Sequence, residues 1–227
     1  ADAHGRGLDM MSSQSVGHLN LSLDQLHYAR YRLSNVNLRG TLKGALASAR
    51  LSSDNALLKM EADAEYHLAH SYPDGKLAMD VDWLDLYELG LIPQPLKHPL
   101  AFNFSAEARR NSVMAHLGSG DMTVDITSRM GVNPLVKQST HFVDVLLNQL
   151  QEKALNHAAL REALPAADFS FTAGKKNPLA DFLSTQHVSY KQAAVRLGAA
   201  PDKGINGKAS IQAFKMDTLL LDTISFT

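Results

Sequence analysis

Cysteine is absent from the 227 residues, which removes disulfides, thiolate catalysis and Cys-based metal sites together. An excess of either charge is also missing. Lys and Arg number 22 against 23 Asp and Glu, for a formal net charge of -1. That balance supplies no electrostatic footprint for nucleic acid, and no Lys/Arg cluster forms a patch for anionic membranes. No run approaches the ~18 consecutive apolar residues of a membrane-spanning helix. The start, Ala1-Asp2-Ala3-His4-Gly5, lacks the pattern of a signal peptide. No Pro/Ser-rich linker and no strict repeat divides the chain. A single domain over 1–227 is therefore expected, with a β-rich part at 1–130 and a helix-containing part at 131–227. Residues 219–227 are apolar and strand-like to the last position, so both termini read as cut boundaries within a larger protein.

What is present is two-residue alternation, the period of a half-buried strand. Leu19, Leu21 and Leu23 alternate with Asn20, Ser22 and Asp24. Residues 31–42 continue through Leu33, Val36 and Leu38, with a slip near Ser34-Asn35 that suggests a bulge. Ala47, Ala49 and Leu51 form the next stripe. The longest is Leu58, Met60, Ala62, Ala64, Tyr66 and Leu68, opposed by Lys59, Glu61, Asp63, Glu65 and His67, a run of roughly 35 Å. Leu77, Met79, Val81 and Trp83 follow. Leu100, Phe102, Phe104, Ala106 and Ala108 come next, then Val113, Ala115 and Leu117, then Met122, Val124 and Ile126.

Turn chemistry separates the runs at Ser53-Asp54-Asn55, Pro73-Asp74-Gly75, Arg110-Asn111 and Gly118-Ser119-Gly120-Asp121. Short turns between successive strands give an antiparallel meander. Residues 85–91 read as a short helical turn.

The period changes after Gly131. Asn133-Pro134 signals a helix start, with Asn133 as cap. Phe142, Val143, Leu146, Leu147 and Leu150 recur at helical spacing, against Asp144, Asn148, Gln151 and Glu152. The helix continues or restarts through Leu155, Leu160 and Leu164 and stops before Pro165. A strand at 167–172 follows, and Asn177-Pro178 starts a short helix to about residue 184. Strands at 188–197, 208–214 and 219–226 complete the chain, with Pro201-Asp202-Lys203-Gly204 as a turn. The expected fold class is mainly β with late helices: an elongated, twisted antiparallel sheet plus one long amphipathic helix and one short one.

Motifs for catalysis or ligation fail on spacing. Gly204-Ile205-Asn206-Gly207-Lys208-Ala209 has two residues between its glycines where a phosphate loop needs four, and Ala209 where it needs Ser or Thr, so a β-turn is expected. Leu117-Gly118-Ser119-Gly120 lacks the first glycine of a nucleophile elbow. Ten histidines include no pair at ligand spacing on a helix. His67 and His70 on an extended strand would point to opposite faces, and His141 and His157 stand too far apart. Asp80/Asp82 and Asp63/Glu65 lie on polar strand faces, where solvation is the default. An enzyme is not expected, and no cofactor or metal.

The apolar stripes admit two readings. They could pack as core, or line an open apolar groove. Small residues in the stripes (Ala47, Ala49, Ala62, Ala64, Ala106, Ala108, Ala115) favour the groove. So does the small helical mass, since one helix covers only ~10 Å of sheet width.

Residues 32–46, Arg-Leu-Ser-Asn-Val-Asn-Leu-Arg-Gly-Thr-Leu-Lys-Gly-Ala-Leu, resemble a recurring stretch of the AsmA-like superfamily. Asp85-Leu86-Tyr87-Glu88-Leu89-Gly90-Leu91 with Pro95-Leu96, Leu164-Pro165 and Asn177-Pro178-Leu179 are similar to segments of TamB-like translocation and assembly proteins, especially those of Bacteroidota. This resemblance implies a sheet folded lengthwise (a β-taco) with an apolar concave face and a polar outside. It also implies a periplasmic place and an inner-membrane anchor in the full-length protein. The implied role is phospholipid transport between inner and outer membranes, linked to outer-membrane assembly with a TamA-type barrel partner. No catalytic residue carries over. The expected lipid-contact residues are Leu58, Met60, Ala62, Leu100, Phe102, Phe104, Val113, Ala115, Met122, Val124 and Ile126. The helix at 134–164 could plug, cap or flank the groove. The alternative is a structural module that pairs with partner strands at its sheet edges.

Overall fold

The computed structural model describes residues 1–7, 9–28, 31–96 and 100–226, the side chains of 26–28 and 31–33 excepted. The expected inward side chain of Leu33 and the last strand residue, Thr227, lie outside what is described. The strands are β1 (Asp2–Arg6), β2 (Val16–Tyr28), β3 (Tyr31–Lys43), β4 (Leu46–Asp54), β5 (Leu58–His67), β6 (Gly75–Leu84), β7 (Leu100–Arg109), β8 (Ser112–Ser119) and β9 (Met122–Ser128). Helices α1 (Val132–Glu152) and α2 (His157–Ala163) follow. Then come β10 (Ala167–Ala173), α3 (Pro178–Thr185), β11 (Val188–Ser189), β12 (Gln192–Ala200), β13 (Gly204–Met216) and β14 (Leu219–Phe226).

The fourteen strands among the described residues form one sheet. They neighbour each other in chain order from β1 to β10, then β12 and β13, with β11 and β14 both on β13. Among the described residues every pairing is antiparallel, and the sheet does not close into a barrel. The mainly β class with late helices is as the alternation predicts. Tight turns hold the meander. Between β3 and β4, Gly44 (φ 56°) and Ala45 (φ 66°) make a two-residue turn with both residues left-handed, which matches the twist of the flanking strands.

Several local expectations change. The slip at Ser34-Asn35 is not a register bulge. Asn35 is left-handed (φ 54°), yet Leu23 pairs with Val36 and Gln25 with Ser34 in unbroken register. The register shifts lie instead between Lys59 and Met60 and between Val81 and Leu84. Asn133 does not cap α1. The helix begins two residues earlier than expected, at Val132 behind extended Gly131, with no side-chain cap. Asn177 does cap α3, accepting from the Ala180 amide at 2.9 Å. Gly204–Ala209 is not a turn but the start of β13, paired to β12. Residues 85–91 make a single turn in which Asp85 Oδ1 accepts from the Tyr87 and Glu88 amides and the Leu89 amide donates to the Asp85 carbonyl.

The buried apolar residues among those described are Ala45, Val81, Ala163, Leu164, Ala173 and Tyr190. That is little enclosed core for a chain of this length. Val81 sits on the sheet. Ala163 and Leu164 lie at the end of α2, and Ala173 and Tyr190 lie near α3.

Candidate functional site

Directly paired residues of antiparallel strands share a face. One row therefore runs Leu21, Leu38, Leu51, Ala62, Met79, Phe104, Leu117, Val124, Phe171, Val195, Ala209 and Phe226. It is apolar at every step from β2 to β14, a width of roughly 50 Å at ~4.8 Å per strand. The neighbouring row on the same face runs Leu19, Gly40, Ala49, Ala64, Leu77, Ala106, Ala115, Ile126, Phe169 and Leu197.

All the expected lipid-contact residues fall on this face. Leu58, Met60, Ala62, Leu100, Phe102, Phe104, Val113, Ala115, Met122 and Val124 are half-buried, and Ile126 is exposed. The second row is the more open one: Leu19, Leu77, Ile126 and Leu197 each keep more than a third of their surface. Sequence alternation found the face. It could not find that the sheet brings β2 and β14 into one continuous stripe, because that depends on register.

The opposite face carries the charges. Its rows include Arg39, Arg50, Asp63, Ala78, Ser105, His116 and Asp125, and beside them Thr41, Ser48, Glu65, Lys76, Glu107, Met114 and Thr127. Between these two rows lies a trough of about 820 Å³ across β3 to β9. Its floor is the backbone of Ala49, Ala64, Leu77, Ala106, Ala115 and Ile126, whose side chains point to the other side. A second trough of about 910 Å³ continues over β9, β10, β12 and β13 and shares Asp125 and Thr127 with the first. Both troughs thus open on the charged face, where the resemblance implied a hollow lined by apolar side chains.

Ion pairs cross the strands of the charged face. Arg50 Nη2 donates to Glu61 Oε2 at 2.8 Å, and Nε lies 3.8 Å from Asp63. The acid neighbours raise the Arg50 pKa, the hydrogen bond it donates to Glu61 most. Lys76 meets Glu65 at 3.0 Å, and Lys59 meets Asp82 at 3.3 Å. All these side chains are solvated, so each pair contributes little.

Ser105, His116 and Asp125 fall in one cross-strand line, and His116 Nδ1 is 2.7 Å from Asp125 Oδ1. That order suits nucleophilic catalysis, but two requirements fail. The Ser105 hydroxyl makes no hydrogen bond to His116, and the nearby backbone amides are engaged in the β-ladder, so no donor pair remains for an oxyanion.

A second cluster sits where β5 and β7 end and β6 begins. His67 is the last residue of β5, so His70 lies beyond the strand. Their rings stack at 5.2 Å, not on opposite faces as strand geometry predicted. His70 also stacks on Tyr72 at 5.0 Å. The buried Asp74 carboxylate meets His70 Nδ1 at 2.6 Å and Arg109 Nη1 at 2.9 Å. Burial alone would raise its pKa, but the hydrogen bonds from Arg109 and His70 outweigh it and hold the carboxyl below the usual range. No group of three or more His, Asp or Glu among the described residues could hold a metal ion. Likewise, no described helix is long and apolar enough to cross a membrane.

No family model, curated protein or solved structure matches the chain.

Proposed function

We propose that this chain is a non-enzymatic piece of a cell-envelope protein whose apolar sheet face shields phospholipid acyl chains during transport between the two membranes. The observation that carries this reading is the unbroken apolar row from Leu21 to Phe226, left half-open to solvent. Each methylene moved from water onto such a face gains ~0.8 kcal/mol. A stripe of similar apolar sites holds a chain without polar recognition and lets it move between near-equal positions. The resemblance to AsmA- and TamB-like proteins supports the same role, with a periplasmic place and a TamA-type barrel as partner of the full-length protein. Hydrocarbon would lie against the broad apolar face, across the sheet from the charged troughs.

A photo-crosslinker tests it. At Phe102 it should capture co-purified phospholipid, and at Asn103, which faces the other side, it should not. Equal labelling at both positions would count against the reading, as would native mass spectra free of lipid.

The second reading is strand pairing at the sheet edge. Among the described residues β14 pairs only with β13, and Leu220 and Phe226 on it are 70% and 69% exposed. An apolar edge strand of this kind adds a partner strand readily.

A further inference from the structure

α1 carries two apolar lines, and only one meets the rest of the protein. Leu135, Phe142, Leu146 and Gln149 are half-buried or buried. On another side of the same helix, Val136, Thr140, Val143, Leu147 and Leu150 are all exposed. The apolar four among them retain 58%, 48%, 51% and 56% of their surface in chain order.

The spacing of this exposed line is 4, 3, 4 and 3 residues. At 100° per residue those five positions fall within an arc of about 80°, the narrow seam of a two-helix coiled coil.

The charges beside the seam select the partner. Lys137 and Asp144 flank it on one side, both exposed and neither in an ion pair among the described residues. They stand seven residues apart. If a second α1 runs antiparallel, with Thr140 of one copy against Val143 of the other, Lys137 of each copy comes opposite Asp144 of the second. The same alignment brings Val136 against Leu147. One rotation satisfies both ion pairs, which is the self-complementary condition of a two-fold contact. A parallel arrangement places Ser139 and Leu146 against Asp144 and Gln151 and pairs no charges.

The geometry points to antiparallel self-association of two copies of this chain through the exposed seam of α1. The contact is about 21 Å long, smaller than a standard protein interface, so the dimer forms and dissociates with concentration. It does not depend on the acyl-chain reading, because the seam faces solvent and not the sheet.

Sedimentation velocity of the full chain over a concentration series should show a monomer–dimer equilibrium. Leu147→Asp should abolish the dimer while leaving circular dichroism unchanged. Lys137→Asp should weaken it roughly tenfold, and the double exchange Lys137→Asp/Asp144→Lys should restore it. The chain has no native cysteine, so Thr140→Cys/Val143→Cys reports orientation directly. Oxidation should link residue 140 of one copy to residue 143 of the other. A monomer at every concentration would overturn the proposal. So would a dimer indifferent to Leu147→Asp, crosslinks of 140 to 140 and 143 to 143, or α1 binding as a monomer to phosphatidylcholine vesicles.

Discussion

His70 and Asp74 share a short contact, 2.6 Å between Nδ1 and Oδ2, and it links the loop after β5 to the start of β6. Asp74 reaches further, through Arg109, to the end of β7. Asp74 is 6% exposed, and the two donors hold its pKa below the unfolded value of about 3.9. A depressed carboxyl contributes stability that is present above the unfolded pKa and lost as pH falls through the folded one. Acid should therefore destabilise the wild type below about pH 4. Asp74→Asn should lower the urea midpoint at pH 7 and flatten its fall between neutral and acid pH. Parallel pH profiles for the two proteins would contradict this.

The apolar face divides into covered and open positions. Val81 is 4% exposed and Leu77, on the same strand and face, is 37% exposed. Val81→Ala should cost about 2 kcal/mol, and Leu77→Ala under about 1 kcal/mol although it removes more carbon. Chemical denaturation of the two variants checks the order.

The two Asn-Pro pairs should respond differently. Asn177 caps α3 through the Ala180 amide and also donates to Asp121 Oδ1 at 2.7 Å. Asn177→Ala should cost about 1–2 kcal/mol. Asn133→Ala, inside the first turn of α1, should stay within about 0.5 kcal/mol. Thermal unfolding of both variants distinguishes them.

The loop before α3 is docked by the turn after β8. Asp121 accepts from the Lys176 amide at 3.0 Å. Gly120 has φ 59°, and a Cβ there would stand 1.9 Å from the Lys176 carbonyl oxygen. Gly120→Ala should release residues 174–177, with faster amide exchange at Lys176 and Asn177 and little change in β4 or β5. Uniform loss of protection would indicate a different role.

The strands were legible because one face is apolar and the other polar, so period two survives in the sequence. β1 was missed because Asp2-Ala3-His4-Gly5-Arg6 carries no large apolar side chain and every residue of it is exposed. The stacking of His67 on His70 was illegible because it depends on where β5 stops. The cap of α1 was misassigned since Asn-Pro is equally compatible with the cap and with the first turn, and Gly131 supplies the extended residue that starts the helix. The residues of the apolar face were legible one strand at a time. The side on which the troughs open was not, because it is set by how the pleated rows stand across strands. Likewise, helical spacing marked Val143, Leu147 and Leu150 as apolar, but only packing separates them from Phe142 and Leu146.

From β1 to β9 each strand lies beside the one that precedes it in the chain, with the interval of α1 and α2 as the first long detour. Pairing partners are therefore close in sequence, and the entropy of closing each hairpin is small. Such a sheet can zip up as it emerges from the ribosome, one hairpin onto the last, without waiting for its far end. Its unfolding should be correspondingly piecemeal, with the margins opening long before the middle.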